Sequence, residues 1–209
     1  MKKIFILLSL GLWASSGFAA DAMPAGDAAA GEANAVVCGA CHGADGNSMT
    51  PFPKLAGQGA KYLYKQLQDI RDGARPIPTM IGQLDGKSDQ QLADLAAFYA
   101  AQARTGGKTD PDLLELGEKV YRAGIAERGV AACTACHSPT GQGNAPAGYP
   151  ALGGQHAQYI ADQLRAYRKG YEDDTGRTND GDTKIMRDTA FGLSDKEIEA
   201  VASYAAGLH

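Results

Sequence analysis

The sequence predicts an all-α protein built from two small helical domains in tandem. Three observations predict it. The pentapeptide Cys38-Gly39-Ala40-Cys41-His42 recurs as Cys133-Thr134-Ala135-Cys136-His137. An apolar stripe at i, i+4 and i+7, formed by Leu63, Leu67 and Ile70, recurs as Ile160, Leu164 and Tyr167. Ser88-Asp89-Gln90-Gln91 and Ser194-Asp195-Lys196-Glu197 both read as capping boxes, with a serine N-cap and Gln or Glu three residues on.

The first segment, Met1–Ala19, has the features of a secretory signal peptide. Lys2 and Lys3 give a basic start, Ile4 to Ala14 is apolar, and Gly17-Phe18-Ala19 offers small residues for cleavage. The apolar run falls well short of the roughly 20 residues that span a bilayer. The remaining chain suffices for one large domain or two small ones. Without Lys2 and Lys3 its 24 acidic side chains outnumber the basic ones further, which argues against nucleic acid as a partner.

The CxxCH pentapeptides carry the chemistry. Two thiols one helical turn apart can form thioethers to the two vinyl groups of one porphyrin, and the adjacent histidine then faces the iron. Cys38, Cys41, Cys133 and Cys136 are all the cysteines of the chain, so the sequence predicts two covalent haem c groups, with His42 and His137 as proximal ligands. Covalent haem attachment takes place outside the cytoplasm, which agrees with the signal peptide and points to a bacterial periplasm.

After each histidine comes a loop with a shared pattern, Pro53-Lys54-Leu55-Ala56-Gly57-Gln58 and Pro150-Ala151-Leu152-Gly153-Gly154-Gln155. A metal-bound histidine usually gives its other ring N–H to a carbonyl or carboxylate, and the Pro53 and Pro150 carbonyls are candidates for that role. The apolar-striped helix follows, and then a lone methionine. Met80 and Met186 each stand eight residues before the capping-box serine. A thioether is a soft donor that raises the reduction potential of haem iron, so both are expected as distal ligands. Met49 has no counterpart and lies seven residues past His42, which leaves little chain to round a porphyrin edge; it is assigned to a loop. His156 and His209 are expected to be solvated.

The halves run over 20–104 and 111–209, joined by Thr105-Gly106-Gly107-Lys108-Thr109-Asp110, read as a flexible polar linker. Each is small for an independent core, and a large apolar cofactor bonded into its middle compensates. Three or four short helices per half are expected, with almost no strand. The polar run 171–183, which lengthens the second half, reads as a solvated surface loop, the alternative being a docking loop that sets partner choice.

The order CxxCH, PxLAGQ, a Tyr-containing helix, a lone Met and SDxxxxxxxxYxA, given twice after a signal peptide, resembles the cytochrome c4 family over essentially the whole mature chain. The resemblance implies two class I cytochrome c domains related by an approximate two-fold axis, with both haems His/Met ligated. Proteins of that family carry electrons in the periplasm toward terminal oxidases, often loosely associated with the membrane. One departure stands out. Such domains usually carry an aromatic residue four positions after a first-helix glycine; Gly117 and Tyr121 keep that spacing, but Gly31 is followed by Ala35. A looser helix crossing is expected in the first half.

Two six-coordinate irons restrict the chemistry to gaining and losing electrons. The expected function is therefore a dihaem carrier, not an enzyme, taking electrons from a quinol-oxidising complex or a soluble donor to a terminal oxidase or reductase. A cytochrome subunit of a larger dehydrogenase differs in partnership rather than chemistry. A dihaem peroxidase needs an open iron and a distal acid or base, and neither half has a surplus histidine for it. A zinc ribbon needs four ligands close together, whereas the CxxC pairs begin 95 residues apart.

Overall fold

A computed structural model describes residues 23–49, 51–173 and 175–209. The segment read as a signal peptide lies outside the described residues. The first half contains α1 (Ala28–Ala35), α2 (Gly39–His42), α3 (Ala60–Arg71) and α4 (Asp89–Ala101). The second contains α5 (Leu114–Ala123), α6 (Thr134–His137), α7 (Ala157–Glu172), α8 (Ile185–Phe191) and α9 (Asp195–Ala206). Among the described residues β pairing is confined to two isolated bridges, Ile125–Val130 and Asn144–Tyr149. No described helix is long and apolar enough to cross a membrane.

Local chemistry explains where these helices begin. Asp27 caps α1 by accepting from the Ala29 and Ala30 amides. Both capping boxes form: Ser88 opens α4 with Gln91, and Ser194 opens α9 with Glu197. The stripes of α3 and α7 pack against the last helix of their own half, Leu63 in one apolar cluster with Leu92 and Leu95 of α4, and Ile160, Leu164 and Tyr167 in another with Ile198 and Val201 of α9, and they also border open space. Leu63, Leu67 and Ile70, and likewise Ile160, Leu164 and Tyr167, line a shared internal cavity.

Each half is organised by one close crossing of its first and last helices. A Cβ on Gly31 would lie 2.0 Å from the Asp94 carbonyl oxygen, and one on Gly117 would lie 2.3 Å from that of Ala200. Glycine is required at both points, because any side chain would drive the helices apart. The crossing expected to be looser in the first half is as close as in the second. The reason is a relocated ring: Tyr99 on α4 lies beside Cys38, as Tyr121 on α5 lies beside Cys133. Their counterparts, Ala35 and Ala205, are small and buried.

The linker is held at both ends. Thr105 donates its amide and hydroxyl to Asn47 Oδ1, at 2.9 and 3.0 Å. The Lys54 ammonium, buried in the first half, donates to the Thr105 hydroxyl at 2.9 Å. Further on, the Asp110 amide donates to Ser203 Oγ at 2.9 Å. A segment rich in Gly and Thr looks mobile in sequence; here side chains of both halves bond to its first residues and its last.

Candidate functional site

The four cysteines and two histidines sit on α2, α6 and the residues that open them. All four cysteines are thiols and line the cavity, as do both histidines. His42 Nδ1 donates to the Pro53 carbonyl at 2.9 Å, and His137 Nδ1 donates to the Pro150 carbonyl at 2.8 Å. These are the acceptors expected from sequence. With Nδ1 so engaged, Nε2 is the ring nitrogen left for a metal. Burial lowers the proton affinity of both imidazoles, against a smaller opposing effect of the proline carbonyls, and favours the neutral form that ligates metal. Burial also raises the Cys38 and Cys133 thiols, the latter to about 11. Phe52 and Tyr149 stand beside the two imidazoles in matching tilted poses, with centroids 6.2 and 6.4 Å away.

Met80 and Met186 line the same cavity. Met80 closes a single 3-10 turn, Pro78–Met80, whereas Met186 lies in the first turn of α8. Met49 is 95 % exposed, a loop residue as expected. His209 is exposed at the end of the chain. His156 differs from the solvated group expected: it is half-buried, and its Nε2 meets the Ser48 carbonyl of the other half at 2.9 Å.

The cavity, about 1000 Å³, is continuous between the halves and mostly apolar in its lining. Where the halves meet, contacts occur in pairs with the roles exchanged, as an approximate two-fold relation demands. Gln155 Oε1 accepts from the Lys54 amide at 3.0 Å while its Nε2 donates to the Lys54 carbonyl at 2.9 Å. Gln58 grips Ala151 in the same way, at 3.0 and 2.7 Å.

A second pair is charged. Arg75 donates to Gln66 in its own half and to Tyr159 and Gln163 in the other, at 2.8–2.9 Å. Arg177 donates to Gln163 in its own half and to Gln66 in the other, both at 2.8 Å, and lies beside the Tyr62 hydroxyl. The two arginines are equivalent in backbone as well: the Arg75 amide donates to the Asp69 carbonyl and the Arg177 amide to that of Ala166. Arg177 also stacks on Tyr167, 4.3 Å above the ring centroid.

The polar run 171–183 is therefore corrected. Part of it is a clasp between the halves, since Arg177 is 7 % exposed and Asn179 donates to Gln66 and Asp69. Its composition is that of a solvated loop, but the neighbouring half supplies amide and hydroxyl acceptors that replace water around the guanidinium. No sequence signal marked Arg75 and Arg177, because the repeat loses register after α3 and α7.

These residues fit haem. The attachment thiols and the free imidazole nitrogens face an apolar volume. Two buried guanidiniums border it, and among the described residues neither forms an ion pair. Buried cations supported by neutral amides, hydroxyls and a ring, with no carboxylate partner among the described residues, suit an anion such as a porphyrin carboxylate. Among the described residues no three His, Cys, Asp or Glu side chains gather as a metal site of their own.

Comparison with known proteins agrees with this geometry. Residues 28–101 and 114–208 each match the family model of cytochrome c. Cytochrome c4 of Pseudomonas aeruginosa is 54% identical over the full length of both chains. The structure of reduced recombinant cytochrome c4 from Pseudomonas stutzeri is 53% identical, with a TM-score of 0.84 over 88% of this chain and 100% of that one. A protein of Stutzerimonas stutzeri named thiosulfate dehydrogenase electron acceptor is 37% identical over 83% of this chain and 80% of its own. The doubled attachment motif, the doubled fold and these relatives lead to one conclusion: the chain belongs to the cytochrome c4 family, electron carriers with two cytochrome c domains and two covalent haem c groups.

Proposed function

We propose that this protein is a periplasmic electron carrier. It takes electrons from a quinol-oxidising complex or a soluble donor and delivers them to a terminal oxidase or reductase. Residues 1–19 direct export, and 20–104 and 111–209 form the two haem domains. Cys38, Cys41, His42 and Met80 hold one haem; Cys133, Cys136, His137 and Met186 hold the other. The observation that carries this reading is the doubled cavity lining, in which each half supplies one histidine and one methionine.

When bound, each haem supplies a one-electron couple. The protein's residues decide how that couple behaves. Pro53 and Pro150 orient the imidazoles and raise their basicity, stabilising the oxidised metal. The methionine thioethers favour the reduced metal and raise the potential. With one histidine and one methionine to hold each haem, the chain would leave no place on the metal for substrate. The apolar linings of α3 and α7 exclude water, and Arg75 and Arg177 offset carboxylate charge at the join of the halves.

The test is a redox titration followed optically on protein matured with haem-attachment machinery. Two one-electron waves at positive potential are expected, with a methionine-to-iron charge-transfer band for both haems and no carbon monoxide adduct. A carbon monoxide-binding form in the native protein overturns the closed-site reading. The similarity to an electron acceptor of a dehydrogenase supports a second reading, service to a periplasmic dehydrogenase; stoichiometric co-purification with such an enzyme would favour it.

A further inference from the structure

We infer that Gln155 and Gln58 are crossed positioning residues, each tuning the proximal histidine of the opposite domain through one shared peptide unit. The inference rests on the reading of His42 and His137 as proximal ligands.

The Pro53 carbonyl and the Lys54 amide are the two ends of a single planar peptide group. At its oxygen this group accepts His42 Nδ1–H, 2.9 Å away. At its nitrogen it donates to Gln155 Oε1, 3.0 Å away, from the other domain. The Pro150–Ala151 peptide repeats the arrangement, accepting from His137 at 2.8 Å and donating to Gln58 at 3.0 Å. Each glutamine is 5 % exposed, so water does not compete for these bonds. Each also donates its Nε2–H to the next carbonyl along, which fixes the amide plane and keeps Oε1 aimed at the N–H.

A peptide that donates from its nitrogen is polarised and becomes a stronger acceptor at its oxygen; such chains strengthen by about 10–30% per bond in a low-dielectric interior. A stronger acceptor draws the imidazole proton further and makes the ring a better electron donor to a metal, which favours the oxidised state. The glutamine of one domain thereby lowers the potential of the other domain's haem. Since the path crosses the interface in both directions, each redox centre carries its tuned potential only while the domains are docked. Lys54 and Ala151 can differ in side chain because the glutamines read backbone alone.

The test uses the full haem-loaded protein with Gln155→Leu and Gln58→Leu, each haem being assigned to its domain by paramagnetic NMR. Gln155→Leu is expected to raise the potential of the first domain's haem and Gln58→Leu that of the second. The expected size is about fivefold in the reduced-to-oxidised ratio at fixed potential, or about 40 mV at 59 mV per tenfold. A shift confined to the glutamine's own domain, or no shift in either haem, overturns the inference. Should the leucine variants fail to mature, Gln155→Glu keeps an acceptor for the Lys54 amide and, once ionised, is expected to lower the first haem's potential more than the second's. An equal shift of both haems counts against the proposal. On the wild-type protein, amide exchange at Lys54 and Ala151 is expected to be slow; rates of an open loop overturn it. Failure of the ligand reading shows separately, as an absence of hyperfine-shifted ring signals from His42 and His137 in the oxidised protein.

Discussion

In the first domain the tyrosine beside the attachment cysteine comes from the last helix, as Tyr99; in the second it comes from the first helix, as Tyr121. The partner helix carries alanine in each case, Ala35 or Ala205. A close-packed interior fixes the volume to be filled and leaves open which strut delivers it. The hydroxyls differ. Tyr121 donates to the Ser138 carbonyl at 2.7 Å. Ser138 has φ 69° and ψ 159°, backbone that side chains rarely adopt, at a cost of about 1–3 kcal/mol. The corresponding residue of the first domain is Gly43, which adopts φ 79° without that cost. There the Tyr99 hydroxyl meets the Cys38 sulfur, a weak partner, and makes no hydrogen bond of ordinary geometry. One tyrosine fills space and braces strained backbone, while the other fills space.

The domains also hold differently the two methionines proposed as distal ligands, and the largest predicted effect concerns these. Met80→Ala and Met186→Ala should each lower one potential, by a sizeable part of the roughly 0.8 V that axial ligands span, and open that iron to carbon monoxide. Met186 is followed by Arg187, which forms a partly buried pair with Asp180 at 2.6 Å, whereas Met80 is followed by Ile81, 78 % exposed. In mild denaturant the charge-transfer band of the first domain should vanish before that of the second. The reverse order would break the comparison.

A smaller effect separates the tyrosines. Tyr121→Phe should destabilise the second domain by about 1–2 kcal/mol through the lost bond to Ser138. Adding Ser138→Gly should recover that loss. Tyr99→Phe should cost nothing measurable. Thermal unfolding of the loaded protein reads all three, and equal costs for the two phenylalanine variants would sink the distinction.

The smallest effect comes from the capping boxes, where α9 uses Glu197 and α4 uses Gln91. A hydrogen bond from Arg128, aided by Ser194, holds the Glu197 carboxyl down to about 2 from an ordinary 4.5. A carboxylate depressed on folding adds stability that is complete above 4.5 and fades as the pH falls through about 2. Gln91 does not titrate. The second domain should lose at most about 1 kcal/mol more than the first over that window, a difference that Glu197→Gln removes. Acid titration of both proteins by near-UV circular dichroism checks it.

Much of this was legible in sequence because the informative groups keep register. The attachment motif fixes Cys38, Cys41 and His42 on one turn, and the serine caps align Met80 with Met186. The tyrosine exchange was also in view, since Tyr99 aligns with Ala205, but a missing aromatic at position 35 draws attention to one helix rather than to the pair. The arginines escaped notice for another reason. Arg75 and Arg177 follow helices whose trailing loops differ in length, so their equivalence appears only once the backbone bonds to Asp69 and Ala166 are seen. For Gln58 and Gln155 the repeat was plain and the role was not, because a contact between domains leaves no periodicity along the chain.

Lys54, Asn47 and Ser203 grip the segment between the halves, so the spacing of the two redox centres is a property of the fold rather than an average over tether conformations. An electron arriving at either end therefore meets one internal hop length, and the rate of that step is decoupled from solvent viscosity even where hand-over to a partner is not.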